Sequence, residues 1–290
     1  MHPHQYIAAT NITEAVSLLA RHGARARILA GGTDLLVQLR SDRYELDAVV
    51  DAKAIPELME LTLDGGLTIG AALPCYRVYE DKEVAAAFPG IIDAASLIGG
   101  IQVQSRASLG GNLCNATPSA DGICPLIVHS GVVTITGVAG TRTMAVEDFA
   151  TGPGRNALGY GEMLVNVHLP KPMANFGAAY QRFIPRNEMD IAVAGVAAAV
   201  TLAESGDKIT SARVALAAVG PTPIFAKQAS DYLVGQPATE EVFAKAGEIA
   251  STEATPITDM RGTVEQRHHL VGVLTRRTLA QATQRARGNF

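Results

Sequence analysis

The sequence predicts an α+β protein built of three segments, and three observations lead there. A Gly-Gly pair at 31–32 stands between a strand pattern and a helix pattern. A second pair at 110–111 lies in a long stretch of small polar residues. From residue 176 onward a run of strands precedes a run of helices. Strands first and helices after is the order of an α+β unit.

The first segment, residues 1–53, opens on a helix. Asn11 with Glu14 three residues on resembles a capping box, Ala15, Val16, Leu18 and Leu19 supply an apolar face, and Gly23 suits the end. A strand is expected at 26–30, then the turn Gly31-Gly32-Thr33-Asp34, a short helix through Arg40 and a strand at 46–51. The second segment, 54–175, has a strand at 67–71 and a partly helical stretch at 84–98 interrupted by Pro89-Gly90. A long polar connector is expected over 99–121, followed by an apolar stretch at 127–136, a turn at Gly152-Pro153-Gly154 and a strand at 162–169. Lys171-Pro172 marks its end. The third segment, 176–290, reads as antiparallel strands at 178–184, 191–202 and 209–219, with Glu204-Ser205-Gly206-Asp207 as a turn. Helices are expected at 224–233, 240–251 and 263–287.

Composition narrows the function classes. The 290 residues are 48% hydrophobic and 18% charged, an ordinary globular balance. A net charge of −4 gives no sign of a nucleic-acid partner. Cys75, Cys114 and Cys124 are too few and too scattered for a disulfide framework, and point to a reducing, cytoplasmic setting. No C-x-x-C pair occurs, so neither an iron–sulfur cluster nor a structural zinc is expected on this chain, and no metal ligands are assigned. The seven histidines are scattered and read as surface residues, with His268-His269 in a helix pattern and no H-E-x-x-H motif. Residues 1–5 lack a signal-peptide pattern, and no apolar run reaches about 18 residues, so neither a leader nor a membrane span is expected. No Ser/His/Asp or paired-carboxylate set stands out, and no catalytic residue is assigned.

The chemistry concentrates in the two glycine motifs. In Leu29-Ala30-Gly31-Gly32-Thr33-Asp34-Leu35 the glycines let backbone approach a ligand without Cβ interference, and free amides at a helix start favour a phosphate. A plain strand-to-helix turn would look the same. The motif is neither G-x-G-x-x-G nor Gly-Lys-Ser/Thr, so a Rossmann fingerprint and a P-loop are excluded. The second motif is Ser108-Leu109-Gly110-Gly111-Asn112, continued by Leu113-Cys114-Asn115-Ala116-Thr117-Pro118 and ending on Asp121. Neutral donors plus one carboxylate suit a pyrophosphate joined to a ribose. Asp121 also reads as a turn or helix-cap residue, and Cys114 as a small packing residue.

Together these motifs resemble the FAD-binding subunit of the xanthine dehydrogenase and carbon monoxide dehydrogenase family of molybdenum hydroxylases. Thr68-Ile69-Gly70-Ala71, Phe149-Ala150-Thr151-Gly152-Pro153-Gly154, Tyr180-Gln181-Arg182-Phe183 and Arg186-Asn187-Glu188-Met189-Asp190-Ile191-Ala192 add to the likeness, which covers almost the whole chain in order. The resemblance implies a vanillyl-alcohol-oxidase-like (PCMH-type) FAD-binding fold in two subdomains plus a C-terminal antiparallel-sheet-and-helix domain. It implies that Leu29–Leu35 and Ser108–Asn112 embrace the FAD pyrophosphate, with Thr117 in the same loop. Asp121 would bind a sugar hydroxyl, Ile98, Leu164 and Arg182 would line the cofactor, and Ile191 would lie beside the isoalloxazine. Relatives often carry lysine at the position of Arg182 and some carry an aromatic ring at that of Ile98. The cysteine-rich insertion of relatives with a four-iron cluster is missing. The resemblance further implies an electron relay without substrate chemistry, partnered by a small subunit with [2Fe-2S] clusters and a large subunit with the molybdenum cofactor, in a dimer of heterotrimers. A free-standing FAD-dependent oxidase or reductase, and a nucleotide-binding module without redox work, are the alternative readings.

Overall fold

The computed structural model describes residues 2–187 and 189–288, so Glu188 of the 186–192 motif lies outside the described residues. In the first unit β1 (Gln5–Ala8), β2 (Ala26–Leu29) and β3 (Ala48–Asp51) form a parallel sheet in the order β1-β3-β2. Helix α1 (Ile12–His22) is capped by Asn11, whose side chain accepts from the Glu14 amide at 2.9 Å. Glu14 reaches back to the Thr10 amide at 2.9 Å, one residue earlier than a capping box requires. Its apolar residues Ala15, Val16, Leu18 and Leu19 bury against the strands. The short helix α2 (Leu35–Arg40) follows the first glycine turn.

The second unit is an antiparallel sheet of β4 (Leu61–Thr62), β5 (Gly66–Gly70), β6 (Val132–Gly137), β7 (Gly140–Ala145) and β10 (Met163–Pro170), ordered β4-β5-β10-β6-β7. A small hairpin, β8 (Ala150–Gly152) and β9 (Arg155–Asn156), turns at Pro153-Gly154. Strand β10 serves two cores. Met163 and Val165 pack into the first unit, while Leu164, Val167 and Leu169 pack into the central core, with a bulge between Leu164 and Asn166 resetting the alternation. The helices are α3 (Cys75–Tyr79), α4 (Lys82–Ala87), α5 (Pro89–Ala95), α6 (Ile101–Gln104), α7 (Leu109–Asn115) and α8 (Ile123–Val128). The helical stretch expected at 84–98 is two helices, because Pro89 has no N–H to continue the first and starts the second at N1. The connector expected over 99–121 is also corrected: it holds α6 and α7, and Gly110 and Gly111 are helical. Ser108 nucleates α7 by accepting from the Gly111 amide at 3.0 Å.

The third unit is the antiparallel sheet β11 (Phe176–Phe183), β12 (Ala194–Leu202), β13 (Ile209–Ala217) and β14 (Ile224–Phe225), in chain order. Helices α9 (Lys227–Leu233), α10 (Glu240–Glu253) and α11 (Val264–Ala286) cover one face. A helix was expected from residue 224, but Ile224 and Phe225 pair with Leu216 and Ala215, and the helix begins only at Lys227. Strand β12 is buried on both faces. Val196, Ala198 and Val200 meet the helices while Ala197 and Ala199 meet the central core, which accounts for its unbroken apolar run. A Cβ on Gly177 would lie 2.0 Å from the Ala282 carbonyl oxygen, so glycine is what lets α11 lie directly on β11. Arg285 of α11 donates twice to Asp93 of α5, at 2.6 and 2.9 Å, and Asp93 also accepts the Tyr180 amide at 3.0 Å. These bonds join the third unit to the second. Among the described residues no helix is long and apolar enough to cross a membrane.

Candidate functional site

A cleft of about 1230 Å³ opens between the first and second units. It exceeds the roughly 300–1,000 Å³ of most small-molecule sites and has room for an elongated ligand. Its first lip is Ala30, Gly31, Gly32, Thr33, Asp34 and Leu35. Gly32 has φ +78°, a left-handed conformation that side chains rarely adopt. A Cβ on Gly31 would sit 2.0 Å from the Arg106 carbonyl oxygen, so this turn lies against the chain that enters the second motif. Lys53 fixes its start, donating to the Ala30 carbonyl at 3.2 Å and to Asp51 at 2.7 Å. The amides of residues 31–34 precede α2 and have no protein acceptor among the described residues.

The second lip is Ser108, Gly110, Gly111 and Asn112. Besides capping α7, Ser108 donates to the Ala71 carbonyl at 2.8 Å. Gly110 packs on the same residue, where a Cβ would come within 2.4 Å of the Ala71 carbonyl oxygen. Asn112 folds the following loop by accepting the Gly122 amide at 3.0 Å. The amides of Leu109 and Gly110, in the first turn of α7, have no intrahelical partner.

Other residues complete the walls. The Gly154 amide donates to the Ala116 carbonyl at 3.0 Å, and Asn156 to the Cys114 carbonyl at 2.7 Å, bringing the β8–β9 hairpin into the cleft. Ile98 and Leu164 give apolar surface. Arg27 and Arg43 lie 4.8 and 5.6 Å from the Tyr44 ring centroid, a cation–π stack on the cleft wall. Tyr160 closes one end by donating to the Ala20 carbonyl at 2.6 Å. Burial raises the Asp34 carboxyl above its ordinary value. Burial also pushes the Cys114 thiol up to about 12, which leaves it unreactive. Amides without partners on two facing lips, with guanidinium groups nearby, suit phosphate oxygens, and the apolar walls suit ring systems.

Two families span the chain: the FAD binding domain in molybdopterin dehydrogenase over residues 2–172, and the CO dehydrogenase flavoprotein C-terminal domain over residues 178–282. The chain belongs to this family of FAD-binding subunits. It is 33% identical to the xanthine dehydrogenase FAD-binding subunit of Escherichia coli O157:H7, covering 98% of each. It is 31% identical to the carbon monoxide dehydrogenase medium chain of Afipia carboxidovorans, covering 97% of each. In structure it matches reconstituted CO dehydrogenase from Oligotropha carboxidovorans with a TM-score of 0.93 at 29% identity, over 98% of this chain and 99% of that one. Quinoline 2-oxidoreductase from Pseudomonas putida 86 matches with a TM-score of 0.91 at 29% identity, over 98% of each chain. The fold is therefore the FAD-binding fold with the C-terminal domain of that family.

The cleft fits the cofactor of this family: backbone donors stand where two glycine motifs converge, and the Cβ positions of Gly31 and Gly110 are filled by backbone. Of the residues expected to hold it, 30–35, Ile98, Ser108, Gly110–Asn112, Thr117 and Leu164 line the cleft. Five do not. Leu29 lies in β2, outside the lining. Leu109 is buried in the central core. Asp121, expected to take a sugar hydroxyl, is buried behind the lining, where Oδ1 accepts from the Tyr180 hydroxyl at 2.7 Å and Oδ2 from Arg182 at 2.5 Å. Arg182 is thereby engaged in a buried ion pair that fastens β11 to the second motif. Ile191 is 47% exposed and lies outside the lining. Asp121 reads as a ligand group because a carboxylate in a motif looks available until its partner is seen, and Arg182 was expected at the cofactor through the family resemblance alone. Sequence reasoning missed Arg27, Arg43, Tyr44, Asn115 and Tyr160. Two of them left a signal: Arg27 is a cation on the strand that feeds the first turn, and Asn115 stands within the second motif. It also read every histidine as a surface residue, whereas His129 is 4% exposed.

Proposed function

We propose that the chain carries FAD noncovalently in this cleft and serves as the electron-transfer subunit of a molybdenum hydroxylase complex. The observation that carries the reading is the convergence of two glycine motifs, with unpartnered amides on both lips, on one large cleft. Gly31–Asp34 and Gly110 would offer amides to the pyrophosphate, with Ala30, Leu35, Ser108, Gly111, Asn112 and Thr117 shaping the lips. Ile98 and Leu164 would pack on the rings. When bound, FAD supplies a redox group that exchanges electrons singly or in pairs. The chain's own residues bind and orient it, and no acid, base or nucleophile is assigned. We assign residues 1–53 and 54–175 to the two FAD-binding subdomains and 176–290 to the C-terminal domain. The chain would receive electrons from [2Fe-2S] clusters of a small partner subunit, served by a molybdenum-bearing large subunit, and pass them to an external acceptor. We place it in the cytoplasm, in a dimer of heterotrimers. That the relatives are named as a subunit and a medium chain supports this reading over a free-standing oxidase.

Acid precipitation of the yellow protein should release all of the chromophore, and mass spectrometry should identify it as FAD. Anaerobic stopped-flow spectroscopy should then show flavin bleaching when the whole complex meets its substrate, and none when the isolated chain meets it. Rapid reduction of the isolated chain by an organic substrate would overturn the relay and favour a free-standing oxidase.

A further inference from the structure

Asn115 sits at the end of α7, where three hydrogen bonds meet in the floor of the cleft. Its carbonyl oxygen accepts from the Gln38 amide at 3.2 Å. Its own amide nitrogen donates to the Asp34 carboxylate at 3.3 Å and to the Thr117 hydroxyl at 2.9 Å. Gln38 belongs to α2 and Asp34 is the residue just before it, at the close of the first glycine motif. Thr117 follows α7, at the close of the second. All four residues line the cleft.

We propose that Asn115 is a positioning residue that buckles the two glycine motifs to one another and so sets the spacing of their phosphate-facing amides. The proposal rests on the FAD reading and adds to it a residue that reaches the cofactor only through others. One close backbone approach already brings the motifs together at their start, where Gly31 lies against the Arg106 carbonyl. Among the described residues no backbone hydrogen bond joins their far ends, and the Asn115 bonds link them there. An asparagine suits the place because its side chain offers both a donor and an acceptor, and it bonds an amide on one side and a carboxylate on the other. Aspartate there would face Asp34 across the same gap. Two carboxylates at hydrogen-bond distance cannot both ionise without cost, so one holds a proton at low pH and the pair repels at high pH.

The test compares N115A, N115D, and the swap D34N/N115D, which rebuilds an amide–carboxylate pair with its polarity reversed. Two measurements are made on the full chain: amide hydrogen exchange of the segments around 31–36 and 111–117 without cofactor, and FAD dissociation constants by flavin fluorescence between pH 5 and pH 8. N115A should speed exchange in both segments together and weaken FAD about tenfold, the scale of one or two lost hydrogen bonds, with the third unit's exchange unchanged. N115D should bind FAD well at pH 5 and progressively worse toward pH 8, while the parent protein shows no such trend. The swap should recover most of the affinity and lose the pH trend, which a merely structural role for Asn115 would not produce. Unaltered exchange around 31–36 in N115A would overturn the buckle, as would a swap no better than N115D. Faster exchange with unchanged FAD affinity would overturn the positioning role. A parent chain that takes up no FAD, while N115A still loosens both segments, would sink the flavin reading and leave the buckle standing.

Discussion

Gly31 and Gly111 each belong to a Gly-Gly pair in one of the two lip motifs, yet space treats them differently. A Cβ on Gly31 would lie 2.0 Å from the Arg106 carbonyl oxygen and 3.0 Å from the next backbone nitrogen, atoms that cannot rotate away. A Cβ on Gly111 meets only the Ser108 Oγ, at 2.9 Å, and Gly111 lies in α7 with φ outside the left-handed region. Gly31→Ala should force the first turn off the second and cut FAD affinity by at least tenfold, whereas Gly111→Ala should cost little, since only a capping hydroxyl has to shift. Titrating apo-protein with FAD checks the contrast, and equal losses in the two variants would refute it. The sequence revealed which residues are glycine and so where backbone approach is possible. It did not reveal which glycines face backbone and which face solvent, because that depends on what another segment brings alongside. Asp121 and Arg182 lie outside the cleft lining for the same reason, since each meets the other across two segments.

At the level of elements, periodicity was informative wherever a helix or strand had one apolar face. Helix α1 and strands β11 to β13 were legible in this way, and the unbroken apolar run of β12 reflects burial on both of its faces. The failures have physical causes of their own. The sequence of α7 resembles a loop because glycine disfavours helix by about 1 kcal/mol, and here the Ser108 cap and close packing on Ala71 outweigh that cost. Strand β14 is too short to show alternation, and only its partner β13 makes it a strand. Nor does a sequence show what ties elements of different units together. Arg285 and Asp93 are 192 positions apart and both are largely buried. Removing the guanidinium leaves Asp93 with the Tyr180 amide alone and the Ala178 carbonyl without its donor. Arg285→Ala should therefore lower stability by about 2 kcal/mol, the scale of lost charge-assisted hydrogen bonds. Arg285→Lys should recover only part of it, because an ammonium cannot make the two-pronged contact. Urea unfolding followed by circular dichroism measures both, and an alanine variant as stable as the parent would remove this clamp from the account.

Across the whole molecule, the central core joins the second unit to the inner face of the third, and His129 lies at that seam. It follows α8 and packs between Phe88, at the start of α5, and Phe176, at the start of β11, with ring centroids 5.5 and 5.3 Å away. Neither ring nitrogen has a hydrogen-bond partner among the described residues. Burial, aided by the Arg213 guanidinium, lowers its pKa from 6.5 to about 3. Above pH 6.5 both folded and unfolded chains hold this ring neutral, and it adds no pH dependence. Between 6.5 and 3 the unfolded chain takes up a proton that the folded chain refuses, so stability falls as pH falls, with a limiting slope of about 1.4 kcal/mol per pH unit. Arg213, the cation that faces the ring, is itself paired with Glu147. Carboxylates elsewhere add their own acid sensitivity, and the contribution of His129 is isolated by comparison with His129→Leu, an apolar residue for an apolar site. Urea unfolding of parent and variant from pH 7.5 down to pH 4.5 should give curves that run parallel above 6.5 and diverge below it, with the variant retaining more stability. Parallel curves over the whole range would mean that the folded chain admits the proton, and that this seam is wetter than its packing indicates.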